Sequence, residues 1–235
     1  MARTKQIARV SGQTNGTTAV TDPNIKGRAA KKFKEIADGP MQAELKHIDK
    51  KYTEKGVTYY AETKEDKDIP EQVNWWDMFA LCLVRNMDRS NKYVQSTSLQ
   101  INSQHLKDIL KKVIVSFPGI SFATKDITIA EPYRVLYHYR HELEAERENL
   151  EEDSDAAKHL ELLVNFIYDQ FEDVMAESEN LREQSMMSYK HLWTIFRPGV
   201  TVYASLLGQP RAFELLSYSY GCSKCHPHVR SSRMC

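Results

Sequence analysis

Five apolar residues constrain this chain most: Leu160, Leu163, Ile167, Phe171 and Val174 recur at steps of three or four. A helix gathers such a spacing onto one face, and that face must be buried against something. Asp153, Ser154 or Asp155 supplies the side-chain oxygen that caps its start. Upstream, Leu136, Tyr139 and Leu143 form a second stripe flanked by Tyr133 and Tyr137. That helix is predicted to open at Glu131-Pro132, since a proline in the first turn loses no helical hydrogen bond. Only a short, strongly acidic stretch separates the two stripes, so the helices are predicted to fold back as an antiparallel hairpin.

A second hydrophobic stretch follows the hairpin. Leu192-Trp-Thr-Ile-Phe-Arg-Pro-Gly199 is an apolar helical end that breaks at Pro198-Gly199. Two predicted strands come next, 200–204 and 211–216, flanking Leu207-Gly208-Gln209-Pro210, where glycine and proline suit a turn. Leu192, Trp193, Phe196, Pro198 and Gly199 therefore read as an architectural motif. Trp193 and Phe196 are expected to wedge the helix layer against a sheet, and Arg197 to be exposed.

Ahead of the hairpin, residues 78–84 are a nearly unbroken apolar run, and residues 93–101 have mixed strand character. They read as a β-hairpin whose first strand buries Cys82 as a small core residue. Trp75-Trp76 stands at its entrance, predicted as a strand between two layers or as a helix start. Asn102 or Ser103 can cap a helix carrying Leu106, Ile109, Leu110 and Val113, which ends at Phe117-Pro118-Gly119. A short strand or loop fills 120–130. This order predicts an α+β domain over residues 71–220, with a small antiparallel or mixed sheet packed against the helical hairpin and additional helices.

Residues 1–70 read as a basic, largely disordered arm or linker, with an irregular helix over 29–48 and a turn-rich stretch over 49–70. Residues 1–60 carry 12 Lys/Arg against 6 Asp/Glu, whereas 141–183 carry 15 Asp/Glu against 3 Lys/Arg. The acidic block would repel phosphate, so nucleic acid is not a predicted partner. The opening Ala2-Arg3-Thr4-Lys5-Gln6, with Ala8-Arg9 and Ser11-Gly12, resembles the start of a histone H3 tail, from which Ile7 and Val10 depart. The resemblance implies a chromatin-associated protein whose Ala2 amine, Arg3 and Lys5 engage a chromatin reader.

The tail, 221–235, contains Cys222, Cys225, His228 and Cys235. Thiolate and imidazole suit zinc, so these four are the candidate metal ligands, and no other cofactor is predicted. Cys225-His226 also completes a C-x-x-C-H spacing, but no distal ligand for a haem is signalled. His138, His141 and His159 are expected to be exposed on the helical hairpin. No apolar run is long enough to span a membrane, and no hydrophobic stretch follows the basic N-terminal residues; intracellular residence is expected, in cytoplasm or nucleus.

From about residue 96 to residue 220 the chain resembles an uncharacterised fungal domain found ahead of AAA-type ATPase modules in large multidomain proteins. The resemblance is carried by Leu99-Gln-Ile-Asn-Ser103, Phe117-Pro-Gly-Ile120, Ile127-Thr-Ile-Ala-Glu-Pro-Tyr133 and Leu136-Tyr-His-Tyr-Arg140. His159-Leu-Glu-Leu-Leu163, the stretch 192–199, Val202-Tyr203 and Gln209-Pro-Arg-Ala-Phe213 continue it in order. No glycine-rich loop closing in Gly-Lys-Ser/Thr occurs, so there is no phosphate cradle and ATPase activity is not implied for this chain. No Gly-x-Ser-x-Gly elbow or other catalytic signature is present either. The expected function is a non-catalytic interaction or regulatory domain with protein partners, a truncated relative of those ATPases. The alternatives are the chromatin role and an enzyme with an undescribed site.

Overall fold

A computed structural model describes residues 41–63 and 74–220. Its elements follow the order β1 (Gln42–Tyr52), β2 (Thr58–Glu62), β3 (Phe79–Met87), β4 (Val94–Ile101), α1 (Gln104–Val113), β5 (Ile127–Ala130), α2 (Arg134–His138), α3 (Arg140–Glu148), α4 (Asp155–Glu183), β6 (Thr201–Leu206) and β7 (Gln209–Glu214). The fold is α+β, as expected. Five strands form one sheet in the order β2-β1-β3-β4-β5, while β6 and β7 form a separate two-stranded sheet. Within the larger sheet only β1 and β3 run parallel; the other neighbours are antiparallel. The histone-like Ala2, Arg3, Thr4, Lys5 and Gln6 lie outside the described residues, as do Cys222, Cys225, His228 and Cys235.

The sheet's two faces explain its central strands. Register places Leu81 opposite Ile101, Leu83 opposite Leu99, and Leu99 and Ile101 opposite Ile129 and Ile127. These side chains share one face, because residues paired across strands project to the same side. Against them pack Leu106 and Leu110 of α1, Leu136 and Leu143, and the α4 stripe, in which Leu160, Leu163 and Ile167 are fully buried, Phe171 nearly so and Val174 partly. On the opposite face Ile48, Cys82 and Val84 are covered by Trp75 and Phe79, with Trp76 and Tyr60 at the margin. Trp75 and Trp76 sit in a single 3-10 turn, Trp75–Met78. It lays Trp75 edge-on against Phe79 and Trp76 beside Tyr60, with centroids 6.2 and 4.1 Å apart.

The helix starts follow their caps. Ser103 Oγ accepts from Leu106 N at the start of α1, and Ser154 Oγ accepts from Ala157 N at the start of α4. The helix expected at Glu131-Pro132 begins later. Tyr133 adopts φ 54° and buries its ring against Phe166, so helical backbone starts at Arg134. A second interruption at Tyr139 divides α2 from α3. The hairpin is therefore a broken pair of short helices packed on α4, which runs 29 residues.

Residues 42–62 differ most from the sequence reading. The described part of the span expected to be irregular helix is strand β1, and β1 and β2 belong to the sheet although both precede residue 70. The polar character that suggested a linker is satisfied across strands. Asp49 is buried and receives Arg85 Nε and Nη2 at 2.7 and 2.9 Å, and Lys46 meets Glu62 at 2.5 Å.

Candidate interaction surface

The stretch 192–199 leaves α4 through a 3-10 turn, Tyr189–Thr194, whose start is capped by Ser188 Oγ accepting from His191 N. Trp193 is 7% exposed and stands at an aromatic junction. Its ring centroid lies 4.8 Å from Tyr137, 5.7 Å from His138 and 6.0 Å from Phe171, mostly edge-to-face, as ring quadrupoles favour. It wedges helix against helix, α2 against α4; the sheet it was expected to meet is formed by other strands. Leu192, Phe196 and Pro198 are half-buried, and Gly199 is exposed with φ 90°.

Three guanidinium groups surround this junction. Arg134 lies 5.3 Å from the Trp193 ring and 5.7 and 5.6 Å from Tyr218 and Tyr220. Arg140 lies 4.3 Å from Tyr137, and Arg197 3.9 Å from Tyr139. Contacts of this kind hold a cation on apolar surface without a formal counter-charge. Arg197, expected to be exposed, is half-buried: it pairs with Glu142 and donates to the His138 carbonyl at 3.4 Å. Burial alone would raise the Glu142 pKa, but the hydrogen bond from Arg197 holds it below the ordinary carboxylate value.

His138 and His159 are buried, against the expectation of surface histidines, whereas His141 is exposed. Burial, followed by repulsion from Arg197, Arg140 and Arg134, pushes the His138 pKa down to about 4, so its ring is neutral near pH 7. Its Nε2 has no hydrogen-bond partner among the described residues, and neither has Arg134 Nε. His159 Nδ1 meets Ser103 Oγ at 2.8 Å, but both residues are enclosed, with the serine occupied as the α1 cap. Burial pushes the Cys82 thiol up to about 12, which fits a core residue and leaves it no thiolate at neutral pH. Among the described residues no group of His, Cys, Asp and Glu is arranged to hold a metal ion.

Arg197 lines a groove of about 480 Å³ together with Val115, Ser116, Pro118, Tyr139, residues 198–200 and residues 214–216. From the same place β6 and β7 project as a hairpin. Leu207 and Gly208 take φ of 53° and 76°, the two positive angles of a type I′ turn, which suits the right-handed twist of paired strands. Pro210, expected in the turn, is instead the second residue of β7. The hairpin packs chiefly on itself. Tyr203 is 81% exposed and Leu207 92%, and Leu216 at the groove is exposed too. At its base Trp193 N donates to Tyr220 Oη at 2.9 Å, tying the returning chain to the aromatic junction.

Arg134, Tyr218 and Tyr220 were not singled out in the sequence, and His138 was read there as a surface residue. A signal was present in the spacing: Arg134 and His138 are four apart, which stacks side chains along a helical face. The acidity of the following stretch masked it.

Residues 177–232 match a family described only as a domain of unknown function (DUF7025). No curated protein and no solved structure matches the chain. In described structure the matched stretch runs from the last turns of α4 through the Trp193 junction and across the β6–β7 hairpin.

Proposed function

We propose that this chain is a non-catalytic interaction domain that presents the β6–β7 hairpin, with the groove at its base, to a protein partner. The observation that carries this reading is the hairpin itself. A two-stranded ribbon is marginal in water on its own, yet this one holds Tyr203 and Leu207 in solvent on a rigid aromatic base. Exposed apolar side chains gathered on one projecting element offer a contact surface to a partner. The buried histidines, Ser103 and Cys82 all serve packing or capping, which fits a domain without a reaction of its own. The resemblance to the region ahead of fungal ATPase modules supports a regulatory partner role beside such a module.

Cross-linking with mass spectrometry on the full chain, in its source cell extract, tests the reading. Cross-links to partner proteins are expected to concentrate at residues 199–216 and to disappear in a Tyr203→Ser, Leu207→Ser double variant of unchanged circular dichroism. Cross-links that avoid the hairpin, or nucleotide hydrolysis by the purified chain that one substitution abolishes, would overturn it.

A further inference from the structure

The two edges of the β6–β7 ribbon are unequal. Leu215 N donates to the Val200 carbonyl at 2.9 Å, which sets the alternation of the ladder above it. Val202, Ala204 and Leu206 thus exchange bonds with Phe213, Arg211 and Gln209, and the peptide groups of Thr201, Tyr203 and Ser205 point away from β7. On the β7 side the outward positions are Pro210, Ala212 and Glu214. Pro210 has no N–H, and Arg211 and Glu214 bring charge to that strand, the devices by which edge strands are kept from pairing. Strand β6 has none of them: its sequence, Thr-Val-Tyr-Ala-Ser-Leu, contains no charge and no proline. Among the described residues nothing pairs with its outer edge.

That edge is complementary to itself. The outward residues are symmetric about Tyr203, so a second β6 laid antiparallel across a two-fold axis at Tyr203 sets Thr201 opposite Ser205 and Tyr203 opposite Tyr203. Each of these pairs then exchanges both backbone hydrogen bonds, whereas a register moved by one residue exchanges none and one moved by two loses a pair. Opposed side chains share a face, which brings the two exposed tyrosines together, flanked by Thr–Ser pairs, with no like charges facing. Extending the register sets Leu207 of one copy opposite Gly199 of the other, at the groove mouth beside Pro198 and Leu216. A side-chain carbon built on Gly199 meets nothing within 4 Å, so the space there is open to receive the leucine.

We infer that this chain pairs with a second copy of itself through antiparallel β6 edges centred on Tyr203, joining the two hairpins into one four-stranded sheet. The inference rests on the reading of the hairpin as an interaction surface and names its occupant. Such an isologous contact closes on two copies and leaves the protected β7 edges outermost.

Sedimentation of the full chain over about 1–100 µM tests it, a range in which a moderate dimer dissociates visibly. The expected result is a concentration-dependent monomer–dimer equilibrium. Tyr203→Pro removes a donor that the β6–β7 ladder does not use, so it should raise the dissociation constant by about tenfold or more at unchanged circular dichroism. Leu207→Asp suits the left-handed turn position, leaves the hairpin folded and should weaken the dimer less. A chain that is monomeric throughout, or a dimer equally tight in both variants, would overturn self-pairing. If that chain still loses partner cross-links on the same substitutions, self-pairing alone fails; if it has no hairpin cross-links to lose, the interaction reading fails too.

Discussion

The molecule contains two sheets that use similar residues to opposite ends. In the five-stranded sheet β3 is buried on both faces, by the α4 stripe and its neighbours on one side and by the Trp75 turn on the other. Beside it β1 buries a charge: Asp49 is 3% exposed and held by Arg85 Nε and Nη2. The β6–β7 ribbon again contains valine, tyrosine, leucine and phenylalanine, yet none is buried. Strand chemistry alone therefore does not decide burial; the layer on the other side does. The larger sheet supplies stability, whereas the ribbon is an attachment whose support comes through the aromatic junction beneath it. Substitutions at that junction should act on the whole domain, and those beyond it on binding alone.

Trp193→Ala puts this division under the greatest strain. The ring touches Tyr137, His138 and Phe171 and anchors the guanidinium of Arg134. Its loss should destabilise the domain by about 3–5 kcal/mol, read from chemical denaturation. Near-wild-type stability would mean that the junction is peripheral and that the ribbon has some other support.

Acid should act on the same junction. The His138 pKa is held near 4 in the folded chain, against 6.5 for the free side chain, so the unfolded chain binds a proton that the folded chain refuses. The associated stability is complete above pH 6.5 and is lost as the pH falls towards 4, a cost on the order of 3 kcal/mol. His159, whose pKa is also lowered by burial, adds to it with the same sign. Denaturation at pH 7 and at pH 4.5 should show the fall, and His138→Phe, which keeps a ring beside Phe117 and Trp193, should flatten it. An unchanged pH profile in that variant would remove His138 as the cause.

The sequence announced elements whose apolar residues keep one period. The α4 stripe and the run through Leu81 and Val84 were legible because burial alone dictates them, and the α4 cap was legible only as one of Asp153, Ser154 and Asp155. Strand β1 was not, because Lys46 and Asp49 find their partners, Glu62 and Arg85, only once distant segments pair. The same holds for His138, whose ring meets Phe117 and Trp193, both distant along the chain. The Leu192–Gly199 break was visible as a boundary. What it joins depends on the register of strands outside it.

Arg197→Met tests how tightly ribbon and core are coupled. The substitution keeps much of the apolar stem over Tyr139 but removes the pairing with Glu142 and the bond to the His138 carbonyl. The side chain is 33% exposed, so solvent screens the pair, and the loss should be about 1 kcal/mol by denaturation. A loss as large as that of Trp193→Ala would show that the groove is as integral to the core as the junction itself.

The smallest effect is expected where the apolar surface is most conspicuous. Tyr203 is 81% exposed, so Tyr203→Ser removes little that folding had buried. At protein concentrations low enough to keep copies apart, stability should shift by no more than about 0.5 kcal/mol, as for ordinary surface positions. The measurement must be made on dilute protein, because any partner on β6 would stabilise the folded chain by mass action and make the wild type look stronger. If Tyr203→Ser costs as much as Arg197→Met in dilute solution, the ribbon contributes to the core and the division between the two sheets fails. If the cost appears only as the concentration rises, the tyrosine acts between molecules, and the exposed sheet is stabilised by what it binds.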